Sequence, residues 1–484
     1  MAHPPERARF RAAHDHGRMG FPPVSGFDGC WRARLPSAPV RSIHIGMLGL
    51  GNVGQGVLRI LAENGAAISN RIAANPVISR VLVRELDKAR ALEVDPALLT
   101  LDPSDVLDDP NVRVVVELIG GIEPARSYVL RALEAGKHVV TANKALLAER
   151  GEELFAAAAA RGLDIYFEGS VAGGIPVLRA LREGLASDRI DRVIGIVNGT
   201  SNYILDAMTR TGVSYEQALT AAQAAGFAEA DPTLDVEGGD AAHKLALLAL
   251  VSVGVRVDPD RIHTEGITRV RPFDIRSAHE LGYVIKSLAL ADFDQHGRPH
   301  LRVHPTFVPR DHILAGVRGS YNAVEVSSRA LGQSMYYGKG AGMMPTGVAV
   351  VSDIIEVCRD IVGFSEGGPP PGAFREVHPV EPAPLDDLEC ENYLCVHVPN
   401  VPGVLGKVAS CLGRHGVSIK RMNQDTPGAD EPIDMVIMTE RTQEAKVRAA
   451  VAEVDTFDLA LMPTHRFRIL DADDPVADQG GAGA

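Results

Sequence analysis

The sequence predicts an α/β protein built around a doubly wound parallel sheet, and three observations lead to that prediction. An apolar segment at 41–49 runs into a glycine-rich turn. Strand-like and helix-like segments then alternate as far as residue 167, as in a parallel sheet with helices on both faces. After Glu168 this alternation stops, which indicates a second domain of the α+β class.

Each element follows from its local pattern. In the first domain, helices are predicted at 54–73, 125–135 and 145–160, and further strands at 78–83, 112–118, 138–141 and 163–167. In the second domain, strands are predicted at 192–197, 301–308 and 322–326, together with an apolar helix at 240–254. A turn at 338–342 then leads into a helix at 346–361.

Composition narrows the function classes. Of the 484 residues, 45% are hydrophobic and 23% are charged, which excludes a wholly disordered chain. The net charge of −13 argues against a surface for nucleic acids or anionic membranes. No apolar run reaches the length of about 18 residues that a membrane span needs. The five cysteines form no CxxC pair, so neither a disulfide framework nor a zinc site is expected, and a cytoplasmic location fits.

The glycine-rich turn has the spacing of a dinucleotide-binding loop. Residues 49–54 read GxGxxG between a predicted strand and a predicted helix. Glycine permits the tight turn and lets backbone N–H groups approach a pyrophosphate at the helix N-terminus. We therefore expect a Rossmann-type domain with cofactor contacts from this loop and from the turn after the strand at 112–118, namely Gly49, Leu50, Gly51, Asn52, Val53, Gly54 and Gly120.

The residue after the second strand bears on which dinucleotide is bound. NAD-binding domains usually place an acidic residue there, against the ribose 2′-hydroxyl group. Here Val83 is followed by Arg84, whose guanidinium group can pair with a 2′-phosphate, and then by Glu85. The sequence favours NADP, and NAD stays open as the alternative.

Two further motifs follow strands of the predicted sheet. Residues 141–144 read TANK, and such a turn faces the ligand crevice of a parallel sheet. Lys144 therefore lies either against the cofactor and the reacting carbonyl group or at an exposed helix start. Residues 168–176 read EGSVAGGIP, which can offer oxygen atoms to a hard cation, although the pattern alone favours a plain interdomain loop.

The most informative segment is 225–244, which reads AGFAEADPTLDVEGGDAAHK. Five carboxylates precede a helix whose continuation is almost wholly apolar. Asp240 and Lys244 are four residues apart and share a helix face, close to an apolar stripe. A lysine at such a place must be paired and would suit a proton donor, and the alternative is a surface ion pair.

Together these motifs resemble the homoserine dehydrogenase family. The match runs from about residue 43 to residue 360, and the pattern GxxExDPxxDxxGxDxxxK at 226–244 is highly specific to that family. Segments 198–205 and 340–346 are similar to two further family blocks. The resemblance implies NAD(P)-dependent interconversion of L-aspartate 4-semialdehyde and L-homoserine, on the branch leading to threonine, methionine and isoleucine.

The resemblance also implies roles for single residues. Lys244 is expected to be the proton donor, held by Asp240, and Lys144 is expected to contact cofactor and substrate. Further substrate contacts are expected from Glu229, Asp235, Asp240 and Thr200, and a further cofactor contact from Gly342. Glu168, with the carbonyl groups of Val171, Gly173 and Ile175, is similar to the family's sodium site. Phe227 stands where several relatives have tyrosine.

The C-terminal segment resembles an ACT domain, which has a ferredoxin-like fold. The similarity lies in residues 393–408, 416–419 and Gln424, which read as strand, proline–glycine turn, amphipathic helix and strand. ACT domains commonly pair across subunits and bind a small amino acid, which implies a homo-oligomer and an effector such as threonine. Many have aspartate where this chain has Asn400, and a purely oligomerising module is the alternative.

The expected domain boundaries combine these observations. They are a flexible extension at 1–40, a dinucleotide-binding domain at 41–167, a substrate-binding and dimerisation domain at 168–338, a segment returning to the nucleotide domain at 339–364, a linker rich in glycine and proline at 365–389, an ACT domain at 390–470 and a disordered tail at 471–484.

The sequence argues against two rival functions. An aldehyde dehydrogenase acting through a thioester needs a cysteine nucleophile in the catalytic region, and no cysteine lies between Cys30 and Cys358. A non-catalytic amino-acid sensor with a degenerate dinucleotide domain is the second alternative. The intact glycine loop, Lys144 and the Asp240–Lys244 pair argue against it.

Overall fold

The computed structural model describes residues 41–72, 74–88, 90–294, 298–363, 378–379, 381–424 and 431–470. The expected extension at 1–40, the first part of the expected linker and the expected tail at 471–484 lie outside these residues. Among the described residues, no helix has the length and apolar character needed to cross a membrane.

The first domain is a parallel sheet with helices between its strands. The strands are β1 (Arg41–Leu48), β2 (Ala74–Leu82), β3 (Leu99–Thr100), β4 (Val112–Glu117), β5 (His138–Thr141) and β6 (Ile165–Tyr166). The helices are α1 (Asn52–Ile72), α2 (Ser104–Leu107), α3 (Ala125–Glu134) and α4 (Lys144–Ala159). Within the described ranges the strand order is β3-β2-β1-β4-β5-β6, which confirms the predicted Rossmann-type, doubly wound sheet.

Burial explains why the central strands were predictable, and strand pairing explains why the predicted start of β2 was wrong. In β4 every side chain except that of Arg113 is buried, as expected for a parallel strand covered on both faces. Strand β2 starts at Ala74, four residues before the predicted start, because its first residues pair with β1 despite Pro76. Proline is tolerated there because β3 pairs only with Val81 and Leu82, so no described strand pairs with the other edge of β2 at Pro76.

The second domain combines helices with an antiparallel sheet. Its helices are α5 (Val177–Arg179), α6 (Gly199–Thr211), α7 (Tyr215–Ala224), α8 (Thr233–Val236), α9 (Gly239–Val253) and α10 (Pro272–Glu280). Its strands are β7 (Ile190–Ile196), β8 (Val255–Arg256), β9 (His263–Thr264), β10 (Tyr283–Phe293), β11 (Pro299–Pro309), β12 (Tyr321–Ser328) and β13 (Gly332–Lys339). Strands β10 and β13 were not predicted, since polar residues interrupt the apolar pattern of the first and the second is a polar, mostly accessible edge strand.

Helix α11 (Met343–Gly363) returns the chain to the first domain. Its buried side chains join the core of β1 and α1, where Val350 and Ile354 lie in one cluster with Val57. A Cβ atom at Gly56 would be 2.2 Å from the carbonyl oxygen of Met343. The start of α11 therefore packs directly against the first part of α1.

The C-terminal domain has the ferredoxin-like arrangement. Its elements are β14 (His378–Pro379), β15 (Glu389–Cys390), β16 (Asn392–Val398), α12 (Val404–Arg414), β17 (Ile419–Gln424), β18 (Ile433–Thr439), β19 (Thr442–Gln443), α13 (Glu444–Val454) and β20 (His465–Ile469). Strand β20 pairs with β16 and also, in parallel, with β11. Strands of the second and C-terminal domains therefore form one continuous sheet in the order β13-β12-β7-β10-β11-β20-β16-β18-β17, which joins this domain to the second.

A buried lysine in this sheet gives stability a predictable pH dependence. Lys286 of β10 is 3% exposed, and burial lowers its pKa to about 8 from the 10.5 of an unfolded chain. Its ammonium group donates hydrogen bonds to the carbonyl of Val317 and, at 3.2 Å, to Oδ1 of Asn202. Because the unfolded chain binds this proton more tightly, unfolding takes up a proton between pH 8 and pH 10.5.

Raising the pH through that window should therefore stabilise the wild type by about 3 kcal/mol relative to Lys286→Met. We expect the melting temperature of the wild type to rise relative to that of the variant when both are measured across this range. If the difference in melting temperature between the wild type and Lys286→Met stays constant across this pH range, Lys286 does not titrate there in the folded chain.

Candidate active site

The loop between β1 and α1 has the shape that a bound pyrophosphate requires. Gly49 has φ +102°, and a Cβ atom there would be 2.8 Å from the carbonyl oxygen of Leu118. At Gly54 a Cβ atom would be 2.7 Å from the carbonyl oxygen of Gly49, whereas at Gly51 it would meet nothing within 4 Å. The turn is thus closed against the protein at two glycines and open to an incoming group at the third, so the residues present fit a dinucleotide.

The turn after β4 is fixed by a buried acid that sequence analysis missed. Oε1 of Glu117 accepts hydrogen bonds from the backbone N–H groups of Ile119 (2.7 Å) and Gly120 (3.3 Å), and its Oε2 accepts one from the hydroxyl of Thr141 (2.6 Å). Glu117 is fully buried. It therefore holds Gly120 at the crevice between β1 and β4, where ligands of such sheets bind.

The loop after β2 leaves the choice of dinucleotide open in the structure. Arg84 and Glu85 are both exposed directly after the strand. The side chain of Gln55 accepts hydrogen bonds from the backbone N–H groups of Ala91 (2.8 Å) and Leu92 (3.1 Å), which ties this loop to α1. Arg84 is thus available to a phosphate group, and Glu85 is equally available to a hydroxyl group.

Lys144 connects the two domains at the C-terminal end of β5. The side chain of Asn143 caps α4 through the N–H of Leu146 and donates to the carbonyl of Gly121, 2.7 Å away. The next residue, Lys144, places its Nζ 3.1 Å from Oδ1 of Asp240, which belongs to α9. Lys144 is therefore not a solvated helix-start lysine.

Lys244 lies almost buried on the first turns of α9. Its Nζ donates to Oδ2 of Asp240 at 2.7 Å and to the carbonyl oxygen of Val197 at 2.6 Å. The side chain is 11% exposed. An ammonium group has three N–H donors, so two are used by the protein and one remains for a ligand.

Asp240 is the centre of the site. Burial alone would raise the pKa of this carboxyl group, but the ammonium groups of Lys244 and Lys144, with a hydrogen bond from Asn198, hold the pKa far below its usual value. The Nδ2 of Asn198 donates both to Oδ2 of Asp240 (2.8 Å) and to Oδ1 of Asp235 (2.7 Å). Asn198 follows β7 by two residues and opens the family-like segment 198–205, but no role was predicted for its side chain, because only the tertiary structure brings it to α9.

The other expected substrate contacts divide into two groups. Thr200 donates to Oδ2 of Asp235 (3.2 Å) and to the carbonyl of Phe227 (2.6 Å), so Thr200 and Asp235 adjoin Asp240. Glu229 lies instead on an exposed loop, and its carboxylate contacts no other described residue of the site. Two further carboxylates of the segment have partners other than the site residues, since Asp231 accepts from Thr233 and Glu237 accepts from Thr268.

At the predicted cation loop, the acid is hydrogen-bonded to the start of the next helix. The carboxylate of Glu168 accepts from the backbone N–H groups of Leu178 (3.0 Å) and Arg179 (2.8 Å), and burial raises its pKa to about 7. The carbonyl of Ile175 accepts from the N–H of Val177 at 2.8 Å. Glu168 therefore anchors the start of α5, a role that the sequence pattern did not indicate.

Gly342 stands at the return to the first domain. Its φ is +132°, and its carbonyl oxygen accepts from the N–H of Thr346 at 3.1 Å. The preceding Gly340 packs against the loop at Gly173, where a Cβ atom would be 2.3 Å from the Gly340 carbonyl oxygen. Gly342 thus lies where the second domain, the loop at 168–175 and α11 meet.

The structure rules out a cysteine nucleophile among the described residues. Cys358, Cys390, Cys395 and Cys411 are all buried. Burial raises the pKa of Cys358 to about 12, which keeps it a neutral thiol. The charged groups that the site brings together are two lysines and two aspartates.

An open glycine turn on a Rossmann-type sheet, joined through Asn143 and Lys144 to a buried lysine–aspartate pair, is the site of a nicotinamide-dinucleotide-dependent oxidoreductase. Three family models match successive parts of the chain. A model described as "Homoserine dehydrogenase, NAD binding domain" matches residues 49–168, one described as "Homoserine dehydrogenase" matches 176–355, and one described as "ACT domain" matches 393–456.

Known relatives cover most of the chain. A homoserine dehydrogenase of Bacillus subtilis is 42% identical over 407 residues, which is 84% of this chain and 93% of the relative. The crystal structure of a homoserine dehydrogenase from Thiobacillus denitrificans has a TM-score of 0.84 and 42% identity, and the match covers 89% of this chain and 99% of that one. A hyperthermophilic archaeal homoserine dehydrogenase in complex with NADPH has a TM-score of 0.54 and 26% identity, and covers 65% of this chain and 97% of its own.

The chain belongs to the homoserine dehydrogenase family. The prediction of an NAD(P)-dependent oxidoreductase with a C-terminal ACT domain is confirmed. The alternative of a non-catalytic amino-acid sensor is not supported.

Proposed function

We propose that Lys244 is the proton donor for the interconversion of L-aspartate 4-semialdehyde and L-homoserine. The observation that carries this proposal is the position of its Nζ, 2.7 Å from a deeply buried Asp240 that also pairs with Lys144 across the domain boundary. A lysine so held keeps one N–H donor for a ligand, which is what reduction of an aldehyde needs.

The protein's part in the reaction is to hold and move one proton. When bound, the nicotinamide supplies or accepts a hydride at the substrate carbon. In the reducing direction Lys244 gives a proton to the aldehyde oxygen, so that hydride and proton together yield the alcohol. In the oxidising direction the neutral amine takes that proton back from the hydroxyl group. Asp240 stays ionised throughout, because its pKa is so low, and keeps the amine aimed.

The amino group of the substrate is proposed to bind beside this pair. Asp235 is half-buried next to Asp240, and Asn198 and Thr200 fix its orientation. Because Asp240 already serves two lysines, Asp235 is the acid best placed to take a substrate ammonium group. Glu229 is proposed as a further substrate contact because of the family resemblance. Its carboxylate lies on an exposed loop and has no partner among the described residues, so it is available to a ligand.

NADP is proposed as the cofactor, with Arg84 on the 2′-phosphate and NAD as the alternative. The exposed guanidinium after β2 and the NADPH named for the archaeal relative support this choice. We expect Arg84→Ala to raise KM for NADP by roughly tenfold, the loss of one charge-assisted contact, and to leave KM for NAD within about twofold. Initial rates with each cofactor measure this, and an equal change for both would remove Arg84 from the 2′-phosphate site.

The remaining proposals rest on the resemblance. A sodium ion is proposed at the loop of Glu168, Val171, Gly173 and Ile175. The Glu168 carboxylate oxygens each accept one N–H group and keep further lone pairs, and backbone carbonyls supply the other oxygens. The ACT domain supports an amino-acid effector such as threonine and assembly into a homo-oligomer. A cytoplasmic location is proposed for such a biosynthetic enzyme.

One assay tests the proposed function. The purified full chain is mixed with L-homoserine and with NADP or NAD, at several sodium concentrations, and the reduced cofactor is followed by its absorbance. We expect turnover with homoserine, faster with NADP than with NAD. A chain that reduces neither cofactor at any salt concentration would contradict the proposal.

A further inference from the structure

A cavity of about 480 Å³ lies where the ACT domain meets the sheet of the second domain. Part of its wall is the face of β10 and β11 that carries Asp292, Arg302 and His304. Residues 387–390 and Arg468 of β20 line it from the ACT side. Its described lining shares no residue with the Lys144–Asp240–Lys244 site.

Four buried side-chain atoms of the cavity lining lack a hydrogen-bond partner among the described residues, and two of them, Nε of Arg302 and Nε2 of His304, belong to β11. Arg302 is 7% exposed, and its Nη1 donates to Asp292 at 2.6 Å. Nδ1 of His304 lies 3.1 Å from the carbonyl oxygen of Pro305, which can only accept, and 2.9 Å from the hydroxyl of Thr306. That hydroxyl donates its proton to the carbonyl of His304 at 3.1 Å and can accept from Nδ1, so we assign the imidazole proton to Nδ1. Strand β11 therefore contributes one unused donor and one unused acceptor, and a buried polar group without a partner is costly enough to need an explanation.

The charges of the wall are mixed. The side chains of Arg302 and His304 are two residues apart on one strand and so point to the same face. Asp292 lies on the neighbouring strand and is also paired with Arg192 at 2.9 Å. A cationic donor beside a carboxylate and a neutral imidazole is complementary to a ligand that carries both a carboxylate and an ammonium group, and less so to a simple anion or cation.

We propose that this cavity binds a free α-amino acid, its carboxylate at Arg302 and its ammonium group at His304 and Asp292. The inference rests on the proposed function, because it assigns a location to the effector that an ACT domain implies. It differs from an effector site within the ACT domain, since half of the wall belongs to the second domain.

The contacts of Arg468 provide a route from the cavity to the substrate site. Its Nη1 donates to Oε1 of Glu265 at 2.8 Å, and Glu265 is two residues from Ile267. The N–H of Ile267 donates to the carbonyl of Val236 at 2.8 Å, and Val236 directly follows Asp235. A ligand that shifts Arg468 therefore acts on the segment that holds the proposed substrate acid.

The test measures binding and kinetics on the full chain. Thermal shift with each protein amino acid, L-threonine first, identifies the probe, and titration calorimetry gives its Kd for the wild type, Arg302→Gln and Asn400→Ala. Arg302→Gln keeps Asp292 paired with Arg192, and Asn400→Ala is the matched control within the ACT turn. We expect Arg302→Gln to weaken binding by about 10- to 100-fold with unchanged kcat in the absence of effector, and Asn400→Ala to bind as the wild type does.

A third variant tests the route. Glu265→Gln should still bind the amino acid within about threefold of the wild type, while the change that the amino acid causes in KM for homoserine is largely lost. Binding lost in Asn400→Ala but kept in Arg302→Gln would overturn the proposal, as would the absence of any shift with all amino acids in an active enzyme. Because binding needs no turnover, an inactive chain that still binds at Arg302 would contradict the proposed function and leave this site standing.

Discussion

Lys244→Met is expected to lower kcat by about 10²- to 10⁴-fold in both directions, the usual contribution of a positioned acid or base. Methionine keeps the unbranched apolar length of the side chain, so the packing of α9 should hold. The glycine turn that binds the cofactor is untouched by the change. Fluorescence titration should therefore give a Kd for NADPH within about twofold of the wild type.

Lys144→Met serves as the matched comparison. It removes an ammonium group from the same carboxylate, but from a residue at the end of β5 that faces the cofactor crevice. We expect it to raise KM for cofactor and substrate more than it lowers kcat. If Lys244→Met loses cofactor affinity as severely as turnover, or if Lys144→Met shows the larger loss of kcat, the assignment of the proton donor is wrong.

Asp240→Asn is expected to have the second largest effect, because one carboxylate holds two lysines. The substitution leaves both ammonium groups without a counter-charge in a site where Asp240 is 5% exposed. Breaking a buried pair by removing one partner costs about 3–5 kcal/mol, so the melting temperature should fall by several degrees. Lys244 also loses the hydrogen bond that orients its amine toward the substrate, and kcat should drop by roughly 10²-fold.

Asp231→Asn is the control for that variant. Asp231 lies in the same acidic segment, is exposed, and accepts hydrogen bonds only from Thr233 among the described residues. We expect nearly wild-type kcat and melting temperature from it. Calorimetry and initial rates on the two variants measure the contrast, and an Asp240→Asn enzyme with wild-type kcat would show that the carboxylate does not position the donor.

The parts of this site that the sequence predicts are those set by local geometry. The spacing of Asp240 and Lys244 places them on one helix face whatever the rest of the chain does. The GxGxxG turn likewise defines its own conformation, and the alternation of strands and helices defines the first sheet. The structure places these features where the pattern does.

Other parts depend on contacts between distant segments. Asn198 reaches Asp235 and Asp240 only because β7 ends beside α9, and Glu117 is the last residue of a buried strand with no motif around it. Glu168 is a predicted cation ligand, and only the structure shows that its carboxylate also accepts hydrogen bonds from the N–H groups of α5. Strand β10 carries Lys286 and Asp292 among apolar residues, and tertiary partners for these charges cannot be anticipated from the alternation pattern alone.

The most direct test of the central claim is a crystal structure of the dead-end complex of the enzyme with L-homoserine and NADPH, in which both reactants are already reduced and no hydride can pass. We predict that Nζ of Lys244 lies within hydrogen-bond distance, about 2.7–3.2 Å, of the substrate hydroxyl group while it keeps its contact with Asp240. A hydroxyl group bound instead by Lys144 or by solvent, with Lys244 turned away, would contradict the account.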